Sequence, residues 1–263
     1  MGTFSTLTYD LTDGLAKITL NRPEAANGIN LAMGEDLRDL AMACSTNKDI
    51  RAVLITGTGT MFCGGGDLKS FADLGDSISE KLRELTLNLH TAITCFRRMN
   101  APIIIAVNGT AAGAGMSLAV SGDYVFTSDK AKFTMAYTGV GLSPDGSGSY
   151  FLPRLIGMRK TQELMLTNRV LSAEEAYEWG LVNQVVSSEE LVEASEALAR
   201  QLASGPTQAY GSVKKLLNMS FENSLETQME FESQFISGMS ATEDGREGVQ
   251  AFKEKRKPCF KGV

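Results

Sequence analysis

Residues 101–120, APIIIAVNGTAAGAGMSLAV, are apolar over about the length of a membrane span. Asn108 and Gly109 interrupt the run, and Gly113 and Gly115 follow closely. This segment therefore reads as a buried strand, a turn and a buried helix of small residues, which requires layers of structure on either side of it.

The rest of the chain supplies such layers. Short β-type runs, LTYDL and LAKITLN, precede a helical pattern near 31–45 and a further strand, AVLITGT, at 52–58. The order then recurs, with an amphipathic stretch near 80–98, the strand APIIIAVNG, a helix from about 113, and YVFTSD at 124–129. Two loosely similar β-turn-α units predict an α/β fold wound as a layered spiral. From about residue 188 the pattern is helical to near the end, with Pro206 marking a boundary and apolar residues three and four apart in YGSVKKLLNMSF. The tip, FKEKRKPCFKGV, is the most basic stretch.

Several function classes are excluded early. A formal charge of -6 argues against a general affinity for nucleic acid, which needs a basic surface. The four cysteines, Cys44, Cys63, Cys95 and Cys259, are scattered and form no CxxC pair, so neither a disulfide framework nor a zinc site is expected. The N-terminus has neither the basic start and apolar core of a signal peptide nor an Arg-rich transit pattern, so a cytoplasmic protein with no membrane attachment is expected. His90 is the only histidine, which rules out a multi-histidine metal site, and its helical context, LTLNLHTAITCF, predicts packing against a core face.

Two glycine-rich stretches are more informative. FCGGGDLKS (62–70) and NGTAAGAGMS (108–117) each follow a strand and open a helix, and neither fits a dinucleotide or P-loop pattern. Glycine and alanine let a ligand approach the backbone, and a helix start presents unpaired N–H groups. Two such donors aimed at one point would stabilise an oxyanion. Further on, GLSPDGSGS (141–149) holds one carboxylate, Asp145, which reads either as a helix cap or as an acid-base group.

In order, FCGGGDLKS, AVNGTAAGAGMSLAVSGD, FTMAYTGVGLSPDGSGSYFLPRLIG and LSAEEAYEWGLVNQVV resemble the successive signatures of the crotonase superfamily, the enoyl-CoA hydratase/isomerase family. The resemblance extends from NRPEAANGIN (21–30) to the basic tail. It implies an α/β crotonase-like ββα spiral core over residues 1–195 and a helical trimerisation region over 196–263, giving a homotrimer or a dimer of trimers. It also implies an acyl-CoA substrate whose thioester oxygen accepts N–H bonds from Gly66 and Ala114.

At the places of the two hydratase glutamates stand Ser117 and Tyr137, neither a carboxylate base. Asp145 stands where a subgroup similar to phenylacetate-pathway isomerases has its acid, so the resemblance favours a double-bond shift with Asp145 as proton shuttle. Three alternatives stay open: hydration by a rearranged site, dehalogenase- or thioesterase-like hydrolysis of an aroyl-CoA through Asp145 and His90, and acyl-CoA binding without turnover. For coenzyme A the family pattern points to Ala26, Gly64, Leu68 and Lys69, with Phe252 and Lys255 contributed by a neighbouring subunit. No permanently bound cofactor and no metal are expected, coenzyme A arriving as part of the substrate.

Overall fold

A computed structural model describes residues 4–263. The chain opens with a hairpin of β1 (Leu7–Thr12) and β2 (Leu15–Leu20), paired antiparallel with Thr12 opposite Leu15. Asp13 and Gly14 form its turn at φ +52° and +80°, the left-handed pair that a two-residue hairpin turn demands. Helix α1 (Leu31–Thr46) starts at Asn30, whose side chain accepts the Met33 N–H. The chain then runs through β3 (Ala52–Gly57), β4 (Met61–Cys63), α2 (Leu68–Ala72) and α3 (Ile78–Arg98). Next come β5 (Ile103–Val107), β6 (Thr110–Ala112), α4 (Ala114–Val120), β7 (Tyr124–Ser128) and β8 (Lys132–Thr134). After α5 (Gly148–Thr167), β9 (Leu171–Ser172), α6 (Ala173–Glu178) and β10 (Gln184–Val186), the chain is helical, with α7 (Leu191–Ala203), α8 (Thr207–Met219), α9 (Leu225–Ser240) and α10 (Glu243–Glu254).

The strands form two sheets. The first has the order β1-β2-β3-β5-β7-β10 and the second β4-β6-β8-β9. Three strands of the first sheet continue after a short turn into a short strand of the second: β3 into β4, β5 into β6, and β7 into β8. Three such ββα units wind in parallel, where the sequence suggested two. The segment 101–120 therefore contains an extra strand, β6, between the expected strand and helix. Three small residues, Thr110–Ala112, are too short a run to display a period-2 pattern, so only pairing with β4 and β8 reveals it.

All five residues of β5 are buried because both faces of the first sheet are covered. Val53, Ile55, Ile103 and Ile105 point into the main core with α1 and α3, among which Leu37, Leu40 and Leu89 are buried. Their alternates, Leu54, Ile104 and Phe126, meet Leu191, Ala199 and Ala203 of α7 on the other face. Residue 195 falls inside α7, so the helix that precedes the terminal group is itself packed on the sheet.

Helix α5 is interrupted at Gly157 (φ +78°), between a segment containing Pro153 and one ending at Thr167. Helix α8 is tied to the core by Lys214, whose buried ammonium donates to the carbonyls of Phe96 (3.0 Å) and Ala101 (2.8 Å) and pairs with Asp123 at 2.8 Å. Helix α9 buries no residue, and the basic tail is drawn back by Asp244, which accepts the Lys261 and Gly262 N–H groups. Among the described residues no helix is long and apolar enough to cross a membrane.

Candidate active site

The parallel pairing of β4 with β6 brings the two glycine loops together. Gly65 (φ +93°) lies so close to the second loop that a Cβ there would stand 2.8 Å from the Ala112 carbonyl oxygen. Gly113, at φ +51°, faces it from the other side. The first loop is fixed by the Ile29 N–H to the Gly65 carbonyl (2.7 Å) and the Gly64 N–H to the Ala26 carbonyl (2.8 Å). Arg22 pairs with Asp67 at 2.8 Å. Burial pushes the Asp67 carboxyl up, but the Arg22 guanidinium and the Ser70 and Lys69 N–H groups hold it below the ordinary range. Asp67 thus stays charged and caps α2 through Ser70.

Gly66 and Ala114 line the same cavity, of about 410 Å³. Among the described residues, the N–H of neither is engaged in a loop, cap or side-chain hydrogen bond, and Ala114 is the first residue of α4, where helical N–H groups have no partner of their own. The walls are mostly apolar: Ile29, Leu68 and Phe71 on one side, Leu82, Leu85 and Leu89 of α3 on another, and Val140 and Leu142 on a third. Gly64 lines it too.

Asp145 is the one carboxylate of that lining. Its side chain is about a quarter exposed (23%) and is held from several directions. The Tyr137 hydroxyl donates to Oδ1 at 2.5 Å, and the buried Ser117 hydroxyl donates to the Asp145 carbonyl at 2.8 Å. Burial foremost, and then the neighbouring Asp145 charge, push the Tyr137 hydroxyl well above the ordinary tyrosine range, so it remains a proton donor. Oδ2 faces His90 Nε2 at 4.0 Å. His90 Nε2 accepts the Gly146 N–H at 3.1 Å, which places the ring proton on Nδ1.

One expectation is corrected here and one open alternative closed. His90 is not packed on a core face; its side chain is 48% exposed and lies beside the Asp145 loop. Asp145 does not cap a helix either: α5 begins at Gly148 after Ser147, which makes no side-chain cap, and the Asp145 carboxylate turns to Tyr137.

The remaining candidates are spread out. Leu68 lines the cavity, and Lys69 follows it on the exposed side of α2. Ala26 borders the first loop through its carbonyl without lining the cavity. Phe252, 87% exposed, and Lys255, which ends α10, lie outside the cavity of their own chain. Among the lining residues not singled out from the sequence are Phe71, Arg83 and Thr86, the last two on the amphipathic stretch already recognised as a helix. Among the described residues no group of three His, Cys, Asp or Glu side chains could hold a metal ion.

Comparisons with known proteins identify the family. The profile of the family described as enoyl-CoA hydratase/isomerase matches residues 10–263. The chain is 40% identical to 1,2-epoxyphenylacetyl-CoA isomerase of Escherichia coli over 259 residues, covering 95% of each protein. It is 32% identical to 4-chlorobenzoyl coenzyme A dehalogenase-2 of an Arthrobacter species over 251 residues, 95% of this chain and 91% of that one. Its structure superposes on the crystal structure of enoyl-CoA hydratase from Bacillus anthracis with a TM-score of 0.92 at 34% identity, covering 98% and 100% of the two chains. Proteins named for three different activities are thus similar to this chain. The α/β spiral with two sheets and C-terminal helices is the crotonase fold, and the chain belongs to the enoyl-CoA hydratase/isomerase family of acyl-CoA enzymes.

Proposed function

We propose that the protein shifts the double bond of an enoyl-CoA, with Asp145 as proton shuttle and the Gly66 and Ala114 N–H groups as the oxyanion hole. The observation that carries this reading is that Asp145 is the one carboxylate lining the cavity that Gly66 and Ala114 also line. With a 3-enoyl thioester bound, the two N–H groups polarise the carbonyl and acidify C2. Asp145 takes the C2 proton, the electron pair spreads into a dienolate whose charge rests on the thioester oxygen, and the protonated Asp145 returns the proton to C4. The double bond moves from C3–C4 to C2–C3 with no net change in composition. One base suffices, because the same group gives back what it takes.

Hydration makes a further demand, since water must be placed and activated. Ser117 and Tyr137 supply no carboxylate for that task, and their hydroxyls are spent on Asp145 itself. Hydrolysis through Asp145 with His90 as base is disfavoured by the Gly146 N–H, which occupies the Nε2 lone pair. The 1,2-epoxyphenylacetyl-CoA isomerase relative supports isomerase chemistry, while the hydratase and dehalogenase relatives keep the alternatives as competing outcomes.

No resident cofactor or metal is needed for this route, and coenzyme A enters with the substrate. Products from 2-enoyl-, 3-enoyl- and aroyl-CoA thioesters in deuterated water, followed by mass spectrometry and NMR, test the proposal. Deuterium at C2 or C4 without net hydration is expected. Water added across C2–C3, or halide or free acid released, would replace the isomerase reading.

A further inference from the structure

One face of α3 runs along the cavity from Asp145 outward. His90, Thr86 and Arg83 are four and seven residues apart counted back from His90, so their side chains stand nearly in line. At 1.5 Å rise per residue, Arg83 lies about 10 Å from His90 along the helix axis. His90 marks the end occupied by Asp145, and Thr86 and Arg83 line the cavity beyond it. The rest of that wall is Leu82, Leu85 and Leu89.

Arg83 is the one cation among the lining residues. Among the described residues it makes no ion pair: Glu84, the next residue, holds Lys81 at 2.9 Å, and Glu80, one turn back on α3, makes no ion pair either. A guanidinium presents several donors in a planar fork suited to a carboxylate. On a wall otherwise made of Thr86 and three leucines, and engaged in no ion pair, it is matched by an anion that comes with the ligand. The oxyanion donors and Asp145 fix the reacting end of the acyl group at the other end of the same wall, so the charge belongs at the far end of the acyl chain.

We infer that Arg83 selects acyl-CoA substrates whose acyl chain ends in a carboxylate, a class that the α3 wall separates from plain hydrocarbon chains. This rests on reading the cavity as the acyl site, and it deepens the proposed function by naming a substrate class.

The test uses calorimetry on the full-length protein with saturated, unreactive acyl-CoA thioesters in matched pairs across several chain lengths, one of each pair ending in a methyl group and the other in a carboxylate. Free coenzyme A is titrated as well. At one chain length the carboxylate-ended member should bind about fivefold to tenfold tighter, a preference that shrinks as salt is raised. Arg83→Met should abolish the preference, and Arg83→Lys should keep part of it. Arg83 is exposed, so both variants are expected to fold, which melting temperature verifies.

Equal affinities in the unmodified protein at every length would overturn the inference, as would an equal loss for both members in Arg83→Met. A weaker grip on free coenzyme A in that variant would assign Arg83 to the phosphates and also overturn it. Turnover of the corresponding 3-enoyl thioesters is then measured. A binding preference that survives without isomerisation would defeat the isomerase reading alone.

Discussion

At the scale of single residues, the candidate chemistry rests on one carboxylate and the groups that orient it. Asp145→Asn keeps the shape of the side chain but removes its capacity to take a proton. Turnover should fall by a factor of about 100 to 10,000 with little change in acyl-CoA affinity. Kinetics on a variant with an unaltered circular dichroism spectrum check this, and undiminished activity would remove Asp145 from the mechanism. Tyr137→Phe deletes the donor to Oδ1 and leaves the ring in place. Its kcat should drop by about tenfold while KM stays nearly constant, since a loosely held base loses orientation more than binding.

The same tyrosine gives a pH dependence. Burial foremost, and then the Asp145 charge, favour the neutral hydroxyl in the folded state, so its stabilising contribution is complete below the ordinary tyrosine value and is lost only as pH rises beyond it. Activity should therefore show no tyrosine limb up to about pH 10. A limb present in the unmodified enzyme and missing in Tyr137→Phe would contradict that.

At the scale of elements, the site depends on how closely β4 and β6 carry their loops together. Gly115, in the first turn of α4, packs on Cys63 at the end of β4, where an added Cβ would overlap the Cys63 carbonyl oxygen. Gly115→Ala must therefore push α4 away from the first glycine loop, separating the N–H groups of Gly66 and Ala114. Stability should fall by about 1–3 kcal/mol. Activity should fall further than the loss of folded protein accounts for. Urea unfolding and kcat measured on the same preparation separate the two effects, and a variant as active per folded molecule as the original would show that loop spacing does not matter. On the opposite wall, α3 contributes both apolar lining and the His90 contact to the Asp145 loop, so one helix couples the cavity to Asp145.

At the scale of the whole molecule, the C-terminal helices are incompletely covered within one chain. Ile236 of α9 is 74% exposed, and Leu225, Met229 and Phe252 stand out in the same way. Apolar surface of this kind marks an interaction face in a protein that also buries a large core. We propose that this region mediates assembly into trimers or pairs of trimers, with Phe252 and Lys255 reaching a neighbour's coenzyme A site. Light scattering coupled to size exclusion should give a mass of three or six chains, and Ile236→Glu should shift it downward. A monomer that binds acyl-CoA with full affinity would refute both parts of the proposal.

Much of this was legible from the order of residues alone. The apolar run 101–120 with its glycines determined that the chain builds layers, and the helical last third followed from spacing, because hydrophobic period is a local property written in sequence. The four ordered motifs likewise carried the family resemblance and directed attention to Gly66, Ala114 and Asp145. The tertiary structure alone decided what touches what. Strand β6 is defined by its neighbours. The Tyr137 hydroxyl could have faced solvent, and Asp145 could have capped α5. His90 lies half in the open rather than in the core, and Arg83 became a lining residue only when α3 was laid along the cavity. Such contacts depend on long-range pairing of β4, β6 and β8 and on which face of α3 turns inward. No local pattern of residues specifies those distances.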